Sequence, residues 1–208
     1  MSPTRLILLR HGETTWNVEG RYQGHLDSPL TPRGESQARA LARRLASATF
    51  TALYSSDLGR ASRTAGIIAQ ATGHEVRPDP RLRERHLGIF QGLLKSEIKQ
   101  KLADEYRLFK TAGPDHAMPG GESARQSAER SLACLEELAH RHAGEIIAVV
   151  AHGGTISVLL RHTLGIPLET PRRFGRFNAS WNVFTWHDEK WRLESWGDVS
   201  HLSDAERA

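Results

Sequence analysis

This chain of 208 residues has a single cysteine, Cys134. One cysteine excludes an internal disulfide and a thiolate metal cluster. It sits in a helical pattern, where an inert buried thiol is the expected state. A cysteine-phosphatase loop, Cys-x5-Arg, needs arginine at position 140, and His140 stands there with Arg141 one step late. No apolar run approaches the roughly 18 residues of a membrane span. The N-terminus has neither the charged region nor the long apolar stretch of a signal peptide, so a soluble cytoplasmic protein is expected. There is no His-Glu-x-x-His or Cys-x-x-Cys element, so no metal site and no cofactor are expected. Charge is also unremarkable in sum: 28 Lys plus Arg against 24 Asp plus Glu, a net +4. No basic stripe interleaves with aromatics, which argues against nucleic acid. Arg43-Arg44 and Arg172-Arg173 are expected to be solvated. The modest positive balance suits a small anionic partner. No repeat, linker or low-complexity segment divides the chain.

What is present is an alternation of two periods. Leu6 to Leu9 and Ile146 to Ala151 are continuous apolar runs, the pattern of strands buried on both faces of a parallel sheet. Ala52 to Ser55 and Glu75 to Arg77 are shorter candidate strands. Thr31 caps a helix with Pro32 at its first position, and Ala38, Leu41, Ala42 and Leu45 recur at helical spacing. Asp57 is the expected cap of the next helix, with Ala61, Thr64, Ala65 and Ile68 on its apolar face. After Pro119-Gly120-Gly121 a long stripe runs through Ala128, Ser131, Leu132, Leu135, Leu138 and Ala139. Another, Ile156, Leu159, Leu160, Thr163 and Leu164, follows His152 and ends at Gly165 and Pro167. In the tail, Trp181, Phe184, Trp186, Trp191, Leu193 and Trp196 flank His187-Asp188-Glu189-Lys190, the signature of a hairpin whose tryptophans pack against the core. Alternating β and α segments predict an α/β fold: a three-layer αβα sandwich on a mostly parallel sheet. One domain is expected over residues 1–208, with the weakly patterned stretch of about 92–120 folding over the sheet edge as a cap. An edge strand of the hairpin leaves a homodimer open.

Two strands end in the same way. Leu9 is followed by Arg10-His11-Gly12, and Ala151 by His152-Gly153-Gly154. Ligands of open α/β sheets bind at the carboxyl ends of strands. Arg60 falls in the first turn of its helix, where positive charge opposes the helix dipole and an anionic partner would explain it. Glu84 is a lone carboxylate among arginines in Leu82-Arg83-Glu84-Arg85-His86, followed by glycines at 88 and 92.

Arg10-His11-Gly12-Glu13-Thr14, Leu58-x-Arg60-Ala61-x-x-Thr64-Ala65, Glu84 with its glycines, and Ala151-His152-Gly153 together resemble the four signatures of the histidine phosphatase superfamily, the phosphoglycerate mutase-like group. Asn17, Arg21-Tyr22-Gln23-Gly24, Asp27-Ser28-Pro29-Leu30-Thr31 and Asp198-x-x-His201-Leu202 fit the same pattern, over about the whole chain. The resemblance implies that His11 takes the phosphoryl group on a ring nitrogen and passes it to water. Arg10, Arg60 and His152 would surround the phosphoryl oxygens, and Glu84 would serve as general acid and then base. Asn17, Gln23, Gly24 and Gly153 would also line the phosphate site, and the arginines would replace a metal. His25 and His86 are expected to be supporting residues only. Tyr106, Phe109 and Lys110 are candidates to line the pocket from the cap.

The same constellation serves phosphatases and bisphosphoglycerate-dependent mutases. Mutases of the family carry a longer insert with paired arginines for the substrate carboxylate. Here Glu84 to Gly120 is short and holds only Arg85 and Arg107 beyond the acid. Gln23-Gly24 before Pro29-Leu30-Thr31 also resembles the phosphatase branch. Hydrolysis of a small phosphorylated metabolite is therefore the expected activity. A mutase is the alternative, and an inert binding protein of the same fold the alternative of another class. Sugar phosphates, phosphoglycerates, nucleotides and α-ribazole phosphate all stay open as substrates.

Overall fold

The computed structural model describes residues 2–207. In chain order the elements are β1 (Thr4–Arg10), α1 (Thr15–Glu19), α2 (Pro32–Ala46), β2 (Ala52–Ser55), α3 (Gly59–Thr72) and β3 (Val76–Pro78). Single 3-10 turns at Pro80–Leu82 and Gly88–Phe90 lead to α4 (Lys95–Lys101) and α5 (Ala103–Thr111). Then come α6 (Ala124–Arg141), β4 (Ile146–Ala151), α7 (Gly153–Thr163), β5 (Trp181–His187), β6 (Lys190–Asp198) and α8 (Asp204–Arg207).

The six strands form one sheet in the order β3-β2-β4-β1-β5-β6. The pairs β2/β3, β2/β4 and β1/β4 are parallel, and the hairpin β5/β6 adds to β1 antiparallel. The unbroken apolar runs are explained by burial on both faces. Ile7 and Leu9 of β1 pack with Leu41 and Leu45 of α2 and Ala61 and Ile68 of α3. Leu6 and Leu8 face the opposite way, among Leu135 and Leu138 of α6 and Ile156 and Leu159 of α7. This is the predicted three-layer sandwich. Leu8 is fully buried in the central strand. Leu8→Ala is expected to cost about 2–5 kcal/mol, read from urea denaturation as a lower midpoint at unchanged slope.

The helix signals hold in most places. Thr31 accepts the Gly34 N–H with Pro32 in the first turn, and Ser123 caps α6. Asp57 does not cap α3. The cap position is Leu58, which has no side-chain bond, and the Asp57 carboxylate instead grips Arg83. The Arg83 pair holds the chain that carries Glu84. Leu164 is the residue closing α7 and is largely exposed, so the apolar stripe stops at Leu160 and Thr163. Trp181 is buried in the core on the α2/α3 face, and Trp186 and Trp191 in the core on the other face, against which Trp196 partly packs. Arg172 and Arg173 are exposed, as expected. Arg44 is not simply solvated: it bonds Asp198 at 2.6 Å and lies over the Trp181 ring at 4.3 Å. It thereby ties α2 to the hairpin. Cys134 is buried, and burial pushes its thiol up to about 12, which keeps it unreactive.

A third, smaller cluster lies outside the sandwich. Phe90, Ile98 and Met118 are buried together, with Tyr22, Leu102, Tyr106 and Phe109 packed around them. It joins α4, through Ile98, and α5, through Tyr106 and Phe109, to Tyr22 and Phe90. Among the described residues no helix is long and apolar enough to cross a membrane.

Candidate active site

The chain leaves β1 and β4 toward opposite faces of the sheet. After β1 it goes to α2, on the face with Leu9. After β4 it goes to α7, on the face with Leu8. A crevice opens between adjacent strands whose connections diverge in this way. The His11 N–H donates to the Ala151 carbonyl at 3.1 Å, which stitches the two strand ends together. His11 and His152 meet there with ring centroids 5.3 Å apart.

A cavity of about 390 Å³ opens at this point. Of the residues named from sequence, Arg10, His11, Asn17, Gln23, Gly24, Arg60 and Glu84 all line it. His152 lies behind His11, fully buried. Gly153 lies at the start of α7, where an added Cβ would come within 3.4 Å of Arg10 Nε. Phe109 of α5 lines the cavity, whereas Tyr106 and Lys110 do not. His25 Nε2 donates to the Glu84 carbonyl at 2.8 Å, and its ring packs on His86. Both therefore support the segment carrying Glu84.

The bonds made by each side chain define which atoms remain available. His11 Nδ1 is 2.7 Å from the Gly12 carbonyl. A carbonyl only accepts, so Nδ1 carries the proton and Nε2 keeps its lone pair. Burial, then the charges of Arg60 and Arg10, hold the His11 pKa well below 6.5, so the ring is the neutral nucleophilic form at neutral pH. His152 Nε2 is 2.8 Å from Ser56 Oγ. That hydroxyl already accepts the Leu58 N–H, so its own proton is free to go to Nε2. His152 Nδ1 is then a buried donor with no partner.

Arg60 is almost wholly buried at the first turn of α3. Its guanidinium donates to the Leu26 carbonyl at 3.0 Å, Asp27 Oδ1 at 3.0 Å and the Gly24 carbonyl at 2.8 Å. Asp27 also accepts the Arg60 backbone N–H at 3.2 Å. Asp27 is thus the anion that makes a cation tolerable at a helix N-terminus. The Gly24 carbonyl points at Arg60 from a left-handed backbone, φ +57°, where a Cβ would also collide with Gln91 Oε1. Arg10 donates through Nη1 to the Arg176 carbonyl. Burial, then neighbouring Arg176, lowers its pKa to about 10.

Glu84 is held at both oxygens. Oε1 accepts the Arg85 N–H and Oε2 the Gly154 N–H, each at 2.9 Å. A Cβ at 154 would lie 1.8 Å from Glu84 Oε1, so a larger residue there would push the carboxylate out of this position. Asn17 Oδ1 accepts from Thr14 N and Asn178 Nδ2, and Gln23 Nε2 donates to Thr14 Oγ1. Sequence reasoning did not name Asn178, Arg161 or Arg176. All three lie in or pack against the stretch after Gly165, which has no periodicity to read.

Five buried side-chain N or O atoms among the described residues lack a partner, and three of them are Arg10 Nε, Arg60 Nε and His152 Nδ1. Buried donors are normally satisfied. These three donors belong to the residues that neighbour His11, His152 by ring packing and Arg60 and Arg10 by charge. The buried histidines also carry a consequence for stability. His11 and His152 both titrate well below 6.5 in the folded chain. Below about 6.5 the unfolded chain binds more protons than the folded one, so stability falls as pH drops through that value. Thermal melting from about pH 8 to about pH 5 is expected to show a flat region and then a declining midpoint; a rising midpoint toward acid would contradict the assignment.

Fold and site together define an α/β enzyme that handles phosphoryl groups, and comparison with known proteins gives the class. Residues 6–199 match the Histidine phosphatase superfamily (branch 1). The chain is 44% identical over 204 residues to a metal-independent phosphoserine phosphatase of Arabidopsis thaliana, covering 96% of this chain and 84% of that one. It superposes on Bacillus stearothermophilus YhfR with a TM-score of 0.86 at 35% identity, covering 95% of this chain and 98% of that one. A mycobacterial glucosyl-3-phosphoglycerate phosphatase in complex with VO3 gives a TM-score of 0.83 at 39% identity, covering 94% and 99%. The chain belongs to the histidine phosphatase superfamily, and it is a phosphatase.

Proposed function

We propose that this chain hydrolyses monoesters of phosphate on small molecules, without a metal ion, through a phosphohistidine at His11. The observation that carries the reading is the trio of unpartnered buried donors around His11. In the first step His11 Nε2 attacks phosphorus and the P–O bond to the alcohol breaks. The departing alkoxide takes a proton from Glu84, which the Gly154 and Arg85 amides hold in place. Arg10, Arg60 and His152 donate to the three non-bridging oxygens as charge builds on them. In the second step water attacks phosphorus, the P–N bond breaks, and the water proton returns to Glu84. Asn17, Gln23 and the backbone at Gly24 and Gly153 complete the socket. The relative named as metal-independent supports the absence of a metal requirement, and the fixed cations of Arg10 and Arg60 give the physical reason.

The test is turnover of p-nitrophenyl phosphate in excess chelator. An unchanged rate is expected. Loss of activity on chelation, restored by added divalent metal, would overturn the metal-free mechanism. Release of phosphate from a phosphomonoester also separates hydrolysis from the mutase reaction, in which the phosphoryl group stays on the sugar acid.

A further inference from the structure

A general acid has to meet the leaving oxygen at one place, yet Glu84 stands on a stretch with no helix or strand of its own. Residues 83–87 run between the two 3-10 turns without regular structure. Neither a sheet ladder nor a helix fixes that backbone, and its carbonyls are taken up by side chains instead. Thr155 Oγ1 donates to the Leu82 carbonyl at 3.3 Å, and His25 Nε2 to that of Glu84 at 2.8 Å. The carbonyls of Arg81 and Arg83 both go to one residue, Arg130 of α6, whose Nη1 donates to them at 2.6 Å and 3.1 Å.

The other edge of the Arg130 guanidinium closes on Glu122. Nη2 donates to Glu122 Oε1 at 2.5 Å and Nε to Oε2 at 3.3 Å. With side chains 23% and 19% exposed, the two are less screened than a surface ion pair. Glu122 in turn reaches the far side of the acid. Its Oε1 accepts the His86 N–H, its own N–H donates to the His86 carbonyl, and its carbonyl accepts from Arg85 Nε, each at 2.9 Å. The pair thus grips the chain on both sides of Glu84, at 81 and 83 before it and at 85 and 86 after it. Ser123, next to Glu122, caps α6, so both partners are tied to one helix. A planar guanidinium with its fixed fork of donors can serve two carbonyls and a carboxylate at once. Neither side chain lines the cavity, so neither touches a substrate there. The Gly154 N–H holds the Glu84 carboxylate from the α7 side. Arg130 holds the backbone from which that carboxylate hangs.

We propose that Arg130, neutralised by Glu122, is the positioning residue of the general acid: it sets how closely Glu84 approaches the leaving oxygen. The proposal rests on the phosphatase reading, with Glu84 as the acid. Proton transfer needs the donor within hydrogen-bond reach of the departing oxygen, and a misplacement of about 1 Å costs about 10²-fold. Attack by His11 does not depend on this clamp, because His11 is fixed by the Gly12 and Ala151 carbonyls at the end of β1. Loss of the clamp therefore has a signature of its own: it slows each substrate according to how much its leaving group needs a proton.

The test is kcat/KM across p-nitrophenyl, phenyl and p-methoxyphenyl phosphates, whose leaving groups are progressively more basic. This quantity covers only the steps up to loss of the phenol, so the later work of Glu84 as a base does not enter it. The dependence of log kcat/KM on leaving-group basicity is expected to be shallow in the parent and steep in Glu84→Gln. Arg130→Gln is expected to lie between them, slower by about 10–100-fold on phenyl phosphate and by about threefold or less on p-nitrophenyl phosphate. Arg130→Lys is expected to restore part of the loss, because an ammonium is a point donor and cannot reach all four oxygens that the guanidinium serves. Glu122→Gln keeps an oxygen for the His86 N–H and is expected to steepen the dependence by less; it carries the test if Arg130→Gln does not fold. An equal loss on all three substrates, or no loss, would overturn the proposal, because a purely structural bond does not sort leaving groups. A Glu84→Gln dependence as shallow as the parent's would defeat the proton-transfer reading and the clamp with it. Failure of the parent to turn over p-nitrophenyl phosphate would defeat the phosphatase reading itself, on which the clamp depends.

Discussion

Replacing His11 by alanine is expected to lower turnover of p-nitrophenyl phosphate by about 10⁴-fold or more, with the folded structure intact by circular dichroism. The reason is geometric. His11 Nδ1 is committed to the Gly12 carbonyl, so Nε2 is the one ring atom with a free lone pair, and it sits among donors that have nothing else to bind. Removing it leaves the oxyanion socket without a nucleophile. His152 cannot substitute, because its Nε2 is engaged by Ser56. Equal rates in parent and variant would mean that the cavity is inert or that the activity comes from a contaminant.

Glu84→Gln is expected to cost about 10²–10⁴-fold in kcat for an alkyl phosphate. The loss should be smaller for p-nitrophenyl phosphate in the first step, because nitrophenolate leaves without needing a proton. Glutamine keeps an oxygen to accept one of the two backbone N–H groups, from Arg85 and Gly154, that orient the glutamate, so the segment should stay in place. A burst of nitrophenol followed by slow turnover would show that hydrolysis of the phosphoenzyme, which needs the base, has become limiting. An equal loss for both leaving groups with no burst would remove Glu84 from proton transfer.

Much of this could be read before any coordinates. Leu6 to Leu9 and Ile146 to Ala151 announce central strands because burial on both faces forces an unbroken apolar run. The residues just past them then had to lie at the strand mouths, which is how Arg10, His11, His152 and Gly153 were found. Asp57 shows where local signals fail. It has the chemistry of a helix cap, but Arg83, distant in sequence, offers it a bidentate partner. Asp27 stands in a recognisable motif, yet nothing local says that it neutralises Arg60 across 33 residues. Arg44 looked solvated because sequence cannot show that Asp198 and the Trp181 face would meet it. Arg161, Arg176 and Asn178 escaped for a different reason. Arg161 sits on α7 but is held by loop carbonyls, and the other two belong to a segment with no hydrophobic period. Only the folded chain brings Arg161 and Arg176 to the cavity and sets Asn178 against Asn17 and the His11 carbonyl.

The central claim is the covalent bond between phosphorus and His11. Rapid mixing of the parent with a radiolabelled phosphomonoester, followed by an alkaline denaturing quench, measures it directly. A phosphoramidate is stable to alkali and labile to acid. Label that survives alkali, is lost in acid, maps to the peptide containing His11 and is absent from His11→Ala is the predicted result. Turnover without protein-bound label at any quench time, or label stable to acid, would contradict the account.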